Sequence, residues 1–169
     1  LSSDSDEAAY YLWLLDNGND FCKEQLDWMK NSETGSVPGV VFAHVPVNDM
    51  GNLFEECKAY DEGAVLSGTA TYRLNDEIAG GYAEEIILPG AATEEFRVWK
   101  DKNVKGAFFG HWHTSGFTGT YDGITMGITY GCQFAKQSPY GMRTIELDEN
   151  SGELTTKLFT YSDSSFSIQ

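Results

Sequence analysis

Two short apolar segments with an amphipathic segment between them constrain the fold of this chain more than any other feature. Residues 10–15 form a dense apolar run that ends in the turn-forming residues 16–20, and residues 37–45 are rich in valine and phenylalanine. Residues 21–30 have apolar side chains at helical spacing, and Asp20 is a candidate N-cap for them. A strand, a helix and a strand in this order predict two parallel strands in one sheet, and therefore an α/β fold.

Later segments predict that antiparallel strands are added to this sheet. Residues 103–110 form another short apolar strand, and residues 119–131 contain an Asp-Gly turn followed by alternating apolar and polar residues. A second hairpin is predicted where residues 142–147 and 153–161 flank a turn. We therefore predict a mixed sheet with antiparallel C-terminal strands. Residues 50–96 carry a weaker signal, and we interpret them as an irregular insertion or a possible lid over a site.

The length and composition of residues 1–169 are those of a single domain or of a domain fragment, with 41% hydrophobic residues. The 26 acidic residues outnumber the 11 basic ones, and the net charge of -15 argues against nucleic-acid binding through a basic face. An anionic substrate would need a local positive centre, which a metal ion supplies. No apolar run is long enough to cross a bilayer, so no membrane association is expected.

All three histidines of the chain stand in positions that suit metal ligands. His44 ends the second apolar segment, where ligands commonly collect in open α/β sheets. His111 and His113 flank one residue directly after a later predicted strand. On extended backbone these two would point to the same side and reach one ion or two adjacent ions. A single His-X-His is as often structural as metal-binding, but three histidines out of three at strand ends favour a metal site.

Several segments of the chain carry the pattern of a known family. These are residues 40–46 (VVFAHVP), residues 106–113 (GAFFGHWH), residues 25–29 (QLDWM) and residues 140–147 (YGMRTIEL). The first two resemble the last two metal-binding blocks of the calcineurin-like metallophosphoesterases. The other two are similar to the helix upstream of the lone histidine and to the strand that closes the second sheet in that family.

The resemblance implies the C-terminal portion of a four-layer α/β/β/α sandwich. It also implies that His44 and His111 bind one divalent metal ion and that His113 binds another, the ions being Zn, Mn or Fe. In the family, two such ions activate a hydroxide that attacks the phosphorus of a phosphate mono- or diester. A phosphate ester is therefore the expected substrate.

The earlier metal-binding blocks of that family are absent from this sequence. It contains no Asp-x-His, no Gly-Asp-x-x-Asp and no Gly-Asn-His, which carry the bridging aspartate, an asparagine ligand and the general-acid histidine. Those blocks would lie before Leu1, so we expect a C-terminal fragment that has no catalytic residue of its own and is inactive alone. Two adjacent ions would also repel each other without anionic bridges. Because half a sheet exposes an edge or an apolar face, we expect association with the missing half or self-association.

Three other classes of protein remain open. One is a hydratase-type site with three histidines on one zinc ion, although the long separation of His44 and the strand-helix-strand start fit it badly. A cupin-like metal-binding barrel also uses His-x-His on a strand. Its motif requires a glutamate a few residues after the second histidine, where this chain has Phe117, Thr118 and Gly119. A non-catalytic interaction domain would use its histidines structurally and would show no affinity for metal.

The other polar residues near the motifs have ordinary structural interpretations. Thr114, Ser115 and Asp122 are more readily explained as turn formers than as groups behind a metal site. For Tyr140 and Arg143, pairing within the sheet is favoured over contact with a phosphate.

Overall fold

The computed structural model describes residues 6–18, 21–133, 139–162 and 165–168, and twelve strands, two α-helices and one 3-10 helix lie within them. In chain order the elements are β1 Tyr11–Leu14, α1 Lys23–Asn31, β2 Gly39–Ala43, the 3-10 helix Asn48–Leu53, β3 Phe54–Cys57, β4 Val65–Ser67, β5 Ala70–Leu74, β6 Ala79–Tyr82, α2 Glu94–Asp101, β7 Val104–Phe109, β8 Gly116–Tyr121, β9 Ile124–Ile128, β10 Tyr140–Leu147, β11 Leu154–Ser162 and β12 Ser165–Ile168.

The main sheet has six strands in the order β1-β2-β7-β9-β8-β6. The pairs β1–β2, β2–β7 and β7–β9 are parallel, whereas β8 runs antiparallel to β9 and β6 runs antiparallel to β8. The predicted parallel pair and the α/β fold class with a mixed sheet are therefore confirmed. The alternative of a cupin-like barrel is wrong, because the edge strands β1 and β6 do not pair with each other and the main sheet is open.

Helix α1 begins two residues after the start predicted from the sequence. Cys22 occupies the N-cap position, and the Gln25 side chain accepts a hydrogen bond from the Cys22 amide at 3.3 Å. Asp20, the predicted cap, lies outside the described residues. Leu26 and Met29 are buried against the main sheet, so the amphipathic pattern does identify the face that packs.

Helix α2 was not predicted from the sequence. It spans eight residues, and its N-cap is Thr93, whose hydroxyl accepts a hydrogen bond from the Phe96 amide at 3.2 Å. Asp49 is almost fully buried and accepts hydrogen bonds from the amide and the hydroxyl of Thr93. The buried residues of α2 are 96, 98 and 99. Eight residues make about two helical turns, which are too few for the apolar side chains to show a helical period in the sequence.

The segment 50–96, expected to be irregular, contains short regular elements. The strands form a small antiparallel sheet in the order β3-β5-β4, and β6 joins the edge of the main sheet. Met50, Leu53, Phe54 and Leu74 from this segment are buried in the main core. Strands of three to five residues with half-buried faces alternate too briefly to be recognised in the sequence. A role as a lid stays a prediction.

The elements stack in layers on the two faces of the main sheet. Both α-helices pack on one face, where Trp13, Val41 and Ala107 are buried. On the other face, Val40 and Phe108 pack against the three-stranded sheet β10-β11-β12. The predicted β10–β11 hairpin and the antiparallel C-terminal strands are confirmed. Within the described residues, no α-helix covers the outer face of the β10-β11-β12 sheet, so three layers of the α/β/β/α arrangement are seen there.

Strand β1 lies at an edge of the main sheet and carries exposed leucines. The amides of Tyr11 and Leu15 donate to the carbonyls of Pro38 and Phe42, both at 2.9 Å. Successive peptide groups of a strand point to opposite sides, so every second group of β1 faces the open edge of the sheet. Among the described strands, none pairs with this outer edge. Leu12 is 41% exposed and Leu14 is 76% exposed. In the part of the chain that the structure describes, no helix is long and apolar enough to span a membrane.

Candidate metal site

The ends of β2 and β7 bring two of the three histidines together. His44 directly follows β2, and His111 stands two residues after β7. Because β2 and β7 are parallel neighbours, their carboxyl ends lie side by side at one edge of the sheet. The amide of Gly110 donates to the carbonyl of His44 at 3.1 Å, which joins the two loops directly.

The imidazoles of His44 and His111 are in contact. The Nε2 atom of His44 lies 3.3 Å from the Nδ1 atom of His111, and the two ring planes meet at 83°. Both side chains are exposed at the surface. An ion or a partner can therefore reach both ring nitrogens from solvent.

A tight turn sets the orientation of His111. The backbone φ of His111 is 65°, in the left-handed region that residues other than glycine rarely adopt. The amide of Trp112 donates to the carbonyl of Gly110 at 2.8 Å. This is a γ-turn of the uncommon positive-φ kind. The extended backbone assumed for the His-X-His motif is therefore not present at His111. Backbone strain of this type is concentrated at functional sites.

The buried side chain of Asn17 holds the backbone of His44. Its Oδ1 atom accepts hydrogen bonds from the amides of His44 at 3.1 Å and Val45 at 3.0 Å, and its Nδ2 atom donates to the carbonyl of Val45 at 2.7 Å. Asn17 is only 3% exposed. The loop after β2 is thus tied to the loop after β1 by a single amide side chain.

His113 lies beside the loop that follows β9. Its carbonyl accepts a hydrogen bond from the Gly131 amide at 3.0 Å, and a Cβ atom placed on Gly131 would be 3.2 Å from the Cβ of His113. The side chain is half-buried. The structure therefore packs His113 against Gly131, whereas it places His111 against His44.

The His44–His111 pair fits two ligands of one metal ion. Zinc is bound by imidazole nitrogens at about 2.0–2.1 Å, so two nitrogens of a tetrahedral set are roughly 3.3–3.4 Å apart. The observed separation of 3.3 Å agrees with this value. Among the described residues, however, no three His, Cys, Asp or Glu side chains are grouped so that they could hold an ion. The described residues therefore do not form a complete two-ion centre.

A shallow open depression adjoins His44. It is lined by Leu14, Leu15, Asp16, Phe42, Ala43 and His44. Asp16 is the carboxylate of this lining, and its neighbours are mostly apolar. The depression therefore combines a potential metal ligand with the exposed apolar edge of β1.

The remaining polar candidates have structural contacts. The buried Ser115 hydroxyl donates to the Glu85 carboxylate at 2.6 Å and accepts from the Glu84 amide at 3.0 Å. Asp122 lies in the β8–β9 turn with a φ of 45° and forms an ion pair with Lys100 at 3.0 Å. Thr114 lies in the turn before β8.

Arg143 bonds within and between the sheets, as the interpretation of sheet pairing predicts. Tyr140 pairs with Tyr161 across the β10–β11 hairpin.

Asn17 is the residue of this site that the sequence did not single out. It stands in an Asp-Asn-Gly run that indicates a turn, and nothing local in that run shows that its side chain reaches residues 44 and 45. Its role becomes visible only when β1 and β2 are paired in space.

No known family model matches the chain, and no curated protein matches its sequence. Among solved structures, the chain is similar to wild-type Vps29 from Entamoeba histolytica complexed with Zn²⁺. The TM-score is 0.37 at 13% sequence identity, and the match covers 94% of this chain and 96% of that chain. This is a weak link at the level of the fold.

Proposed function

We propose that this chain is the C-terminal portion of a calcineurin-like, metal-dependent phosphoesterase and that His44 and His111 bind one divalent metal ion in it. One observation carries the proposal, namely the 3.3 Å separation of two exposed imidazole nitrogens at the carboxyl ends of adjacent parallel strands. The ion is Zn, Mn or Fe, since imidazole suits several such metals and the described carboxylates do not select among them. His113 is assigned to a second ion by the resemblance of its motif.

A direct hydrogen bond between the two rings is the competing explanation of the same distance. A neutral imidazole has one donor and one acceptor nitrogen, so His44 and His111 can pair without a metal. At 3.3 Å such a bond would be longer than the usual 2.9–3.0 Å or so for N–H donors. A non-catalytic interaction domain with structural histidines corresponds to this explanation.

The chemistry that a bound ion supplies is electrophilic stabilisation of a phosphate ester and activation of water. The residues of this chain would hold the ion and aim it toward solvent, because both imidazoles are exposed. Hydrolysis also needs bridging carboxylates and a proton donor. Since the family blocks that carry them are absent from these 169 residues, we propose that the chain alone does not hydrolyse phosphate esters.

The outer edge of β1 is where we propose that a complementing segment, or a second copy, adds to the sheet. Leu12 and Leu14 are exposed there, and the depression beside His44 begins at the same edge. A strand added at this edge would continue the sheet, and its side chains would flank the leucines on the face that Val40 and Phe42 share. If it runs parallel to β1, its carboxyl end would lie at the same edge of the sheet as His44, with β1 between them.

Metal binding by the purified chain tests the proposal. Titration with Co²⁺, read from its visible absorption, should show imidazole coordination in the wild-type protein and lose it in His44→Ala and in His111→Ala. Asn75→Ala, which removes a hydrogen bond to the Glu77 amide in the turn between β5 and β6, is the control and should bind like the wild type. Wild-type protein that binds no Co²⁺ at millimolar concentration would favour the hydrogen-bonded pair and reject the metal site.

Hydrolysis of p-nitrophenyl phosphate by the same preparation tests the second part of the proposal. We expect no metal-dependent turnover above the buffer rate in the wild-type chain supplied with Zn²⁺, Mn²⁺ or Fe²⁺. Full turnover that is lost in His111→Ala would show that the chain is a complete enzyme and would reject the fragment interpretation.

A further inference from the structure

A buried asparagine side chain replaces strand pairing at the point where β1 and β2 separate. Asn17 lies three residues after the end of β1, and its amide makes three hydrogen bonds to the backbone of residues 44 and 45. An asparagine amide offers two donor hydrogens and an oxygen with two lone pairs. Both lone pairs and one donor are therefore used on a two-residue stretch of loop.

The same stretch of backbone carries the first imidazole of the pair. The amide of His44 donates to Asn17, and its carbonyl accepts from Gly110, so the peptide groups on both sides of the His44 Cα atom are held. The direction in which a side chain leaves the backbone depends on these two peptide planes. Asn17 thus limits where the His44 ring can stand.

The second imidazole is positioned through the same connection. Gly110, which donates to His44 at 3.1 Å, directly precedes His111 and begins the γ-turn in which His111 lies. A shift of the His44 loop would therefore displace Gly110 and with it the turn that holds His111. The continuous path Asn17–His44–Gly110–His111 therefore relates one buried amide to the separation of the two ring nitrogens.

We propose that Asn17 is a positioning residue for the His44–His111 pair, holding the His44 loop so that the two imidazole nitrogens stand at the separation of two ligands of one ion. This inference rests on the proposed metal-binding function. Burial supports it, because an amide that is 97% removed from solvent keeps one geometry where an exposed loop would sample several. Residues that support metal ligands in this way typically change metal affinity by roughly 10–100-fold when they are removed.

Asn17→Ala tests the proposal with two readouts. The first is Co²⁺ affinity, which we expect to fall by about tenfold while affinity in the control Asn75→Ala is unchanged. The second needs no metal, since a nuclear Overhauser effect between the ring protons of His44 and His111 should be present in the wild-type protein and lost or weakened in Asn17→Ala. Unchanged affinity together with an unchanged ring contact would overturn the proposal, whatever the change in melting temperature.

The metal-free readout separates this inference from the proposed function. If the wild-type protein binds no Co²⁺ but Asn17→Ala still loses the ring contact, the positioning role stands and the metal site fails. If Asn17→Ala does not fold, Asn17→Asp replaces it, because its carboxylate can accept from the amides of His44 and Val45 while its second oxygen meets the Val45 carbonyl that accepts from Asn17 in the wild type. Folded Asn17→Asp should weaken the ring contact and the Co²⁺ affinity, because the repulsion from the Val45 carbonyl displaces the His44 loop, and wild-type values of both would contradict the proposal.

Discussion

The guanidinium group of Arg143 lies 5.5 Å from the centre of the Phe108 ring, between the main sheet and the β10-β11-β12 sheet. Its five N–H bonds each have an acceptor: the hydroxyls of Thr118, Thr129 and Thr156 and the carbonyls of Phe117 and Ile128. Burial lowers the pKa of Arg143 to about 10, so the group stays charged at neutral pH. A single cation from β10 thus bonds to the strands β8, β9 and β11.

We predict that Arg143→Lys destabilises the fold by about 2–4 kcal/mol, because lysine cannot reach these acceptors together and leaves several of them unpaired. Arg97→Lys on the exposed side of α2 is the matched control and should change the free energy of unfolding by less than about 0.5 kcal/mol. Urea denaturation measures both. Equal denaturation midpoints for the two variants would show that Arg143 does not hold the sheets together.

The β10–β11 turn makes a prediction about acid stability. The amides of Asn150 and Ser151 donate to the Asp148 carboxylate at 2.8 and 2.9 Å, and these bonds hold the pKa of Asp148 below its usual range. The unfolded chain therefore binds the proton more readily, so this stabilisation is present above about pH 4 and is lost as the pH falls through the lower folded-state value.

Comparison of the wild-type protein with Asp148→Asn isolates this effect, since the other carboxylates are common to both. The wild-type melting temperature should exceed that of the variant at pH 6, and the difference should shrink steadily below about pH 4. A difference that stays constant from pH 6 to pH 2 would show that the charge on Asp148 does not contribute.

The exposed edge of β1 predicts association. Leu14→Lys places a charge on this edge and should keep the protein monomeric at concentrations where the wild-type protein self-associates. Leu66→Lys is the control, because Leu66 is 70% exposed on β4, outside the main sheet. Light scattering after size-exclusion chromatography gives the mass. If both variants lower the mass equally, the edge of β1 is not the site of association.

The separate positions of the histidines predict unequal effects of their removal. His113→Ala should leave the Co²⁺ affinity of the His44–His111 pair within about threefold of the wild-type value, because His113 packs against Gly131 and not against the other two rings. His111→Ala should abolish that binding. Isothermal titration calorimetry with Co²⁺ measures the affinity of each variant. An equal loss of Co²⁺ affinity in both variants would show that all three imidazoles bind one ion.

Local sequence patterns predicted much of the main sheet. Alternation and apolar runs identified β1, β2, β7 and both C-terminal hairpins, since these signals depend on neighbouring residues alone. Helix α2 and the strands of residues 50–96 were missed because they are short and are stabilised mainly by contacts with distant parts of the chain. The cap on α2 shows this, as it depends on Asp49, which is 44 residues from Thr93.

That three histidines follow apolar strands can be read from the order of residues alone, because a strand and the residues after it are contiguous in the chain. Which of these histidines come into contact depends on how the strands pair. His44 and His111 become neighbours because β2 and β7 pair in parallel, and a γ-turn then sets the direction of His111. Asn17 gains its role for the same reason. Its partners are 27 and 28 residues away, and no local pattern encodes a contact that only strand pairing creates.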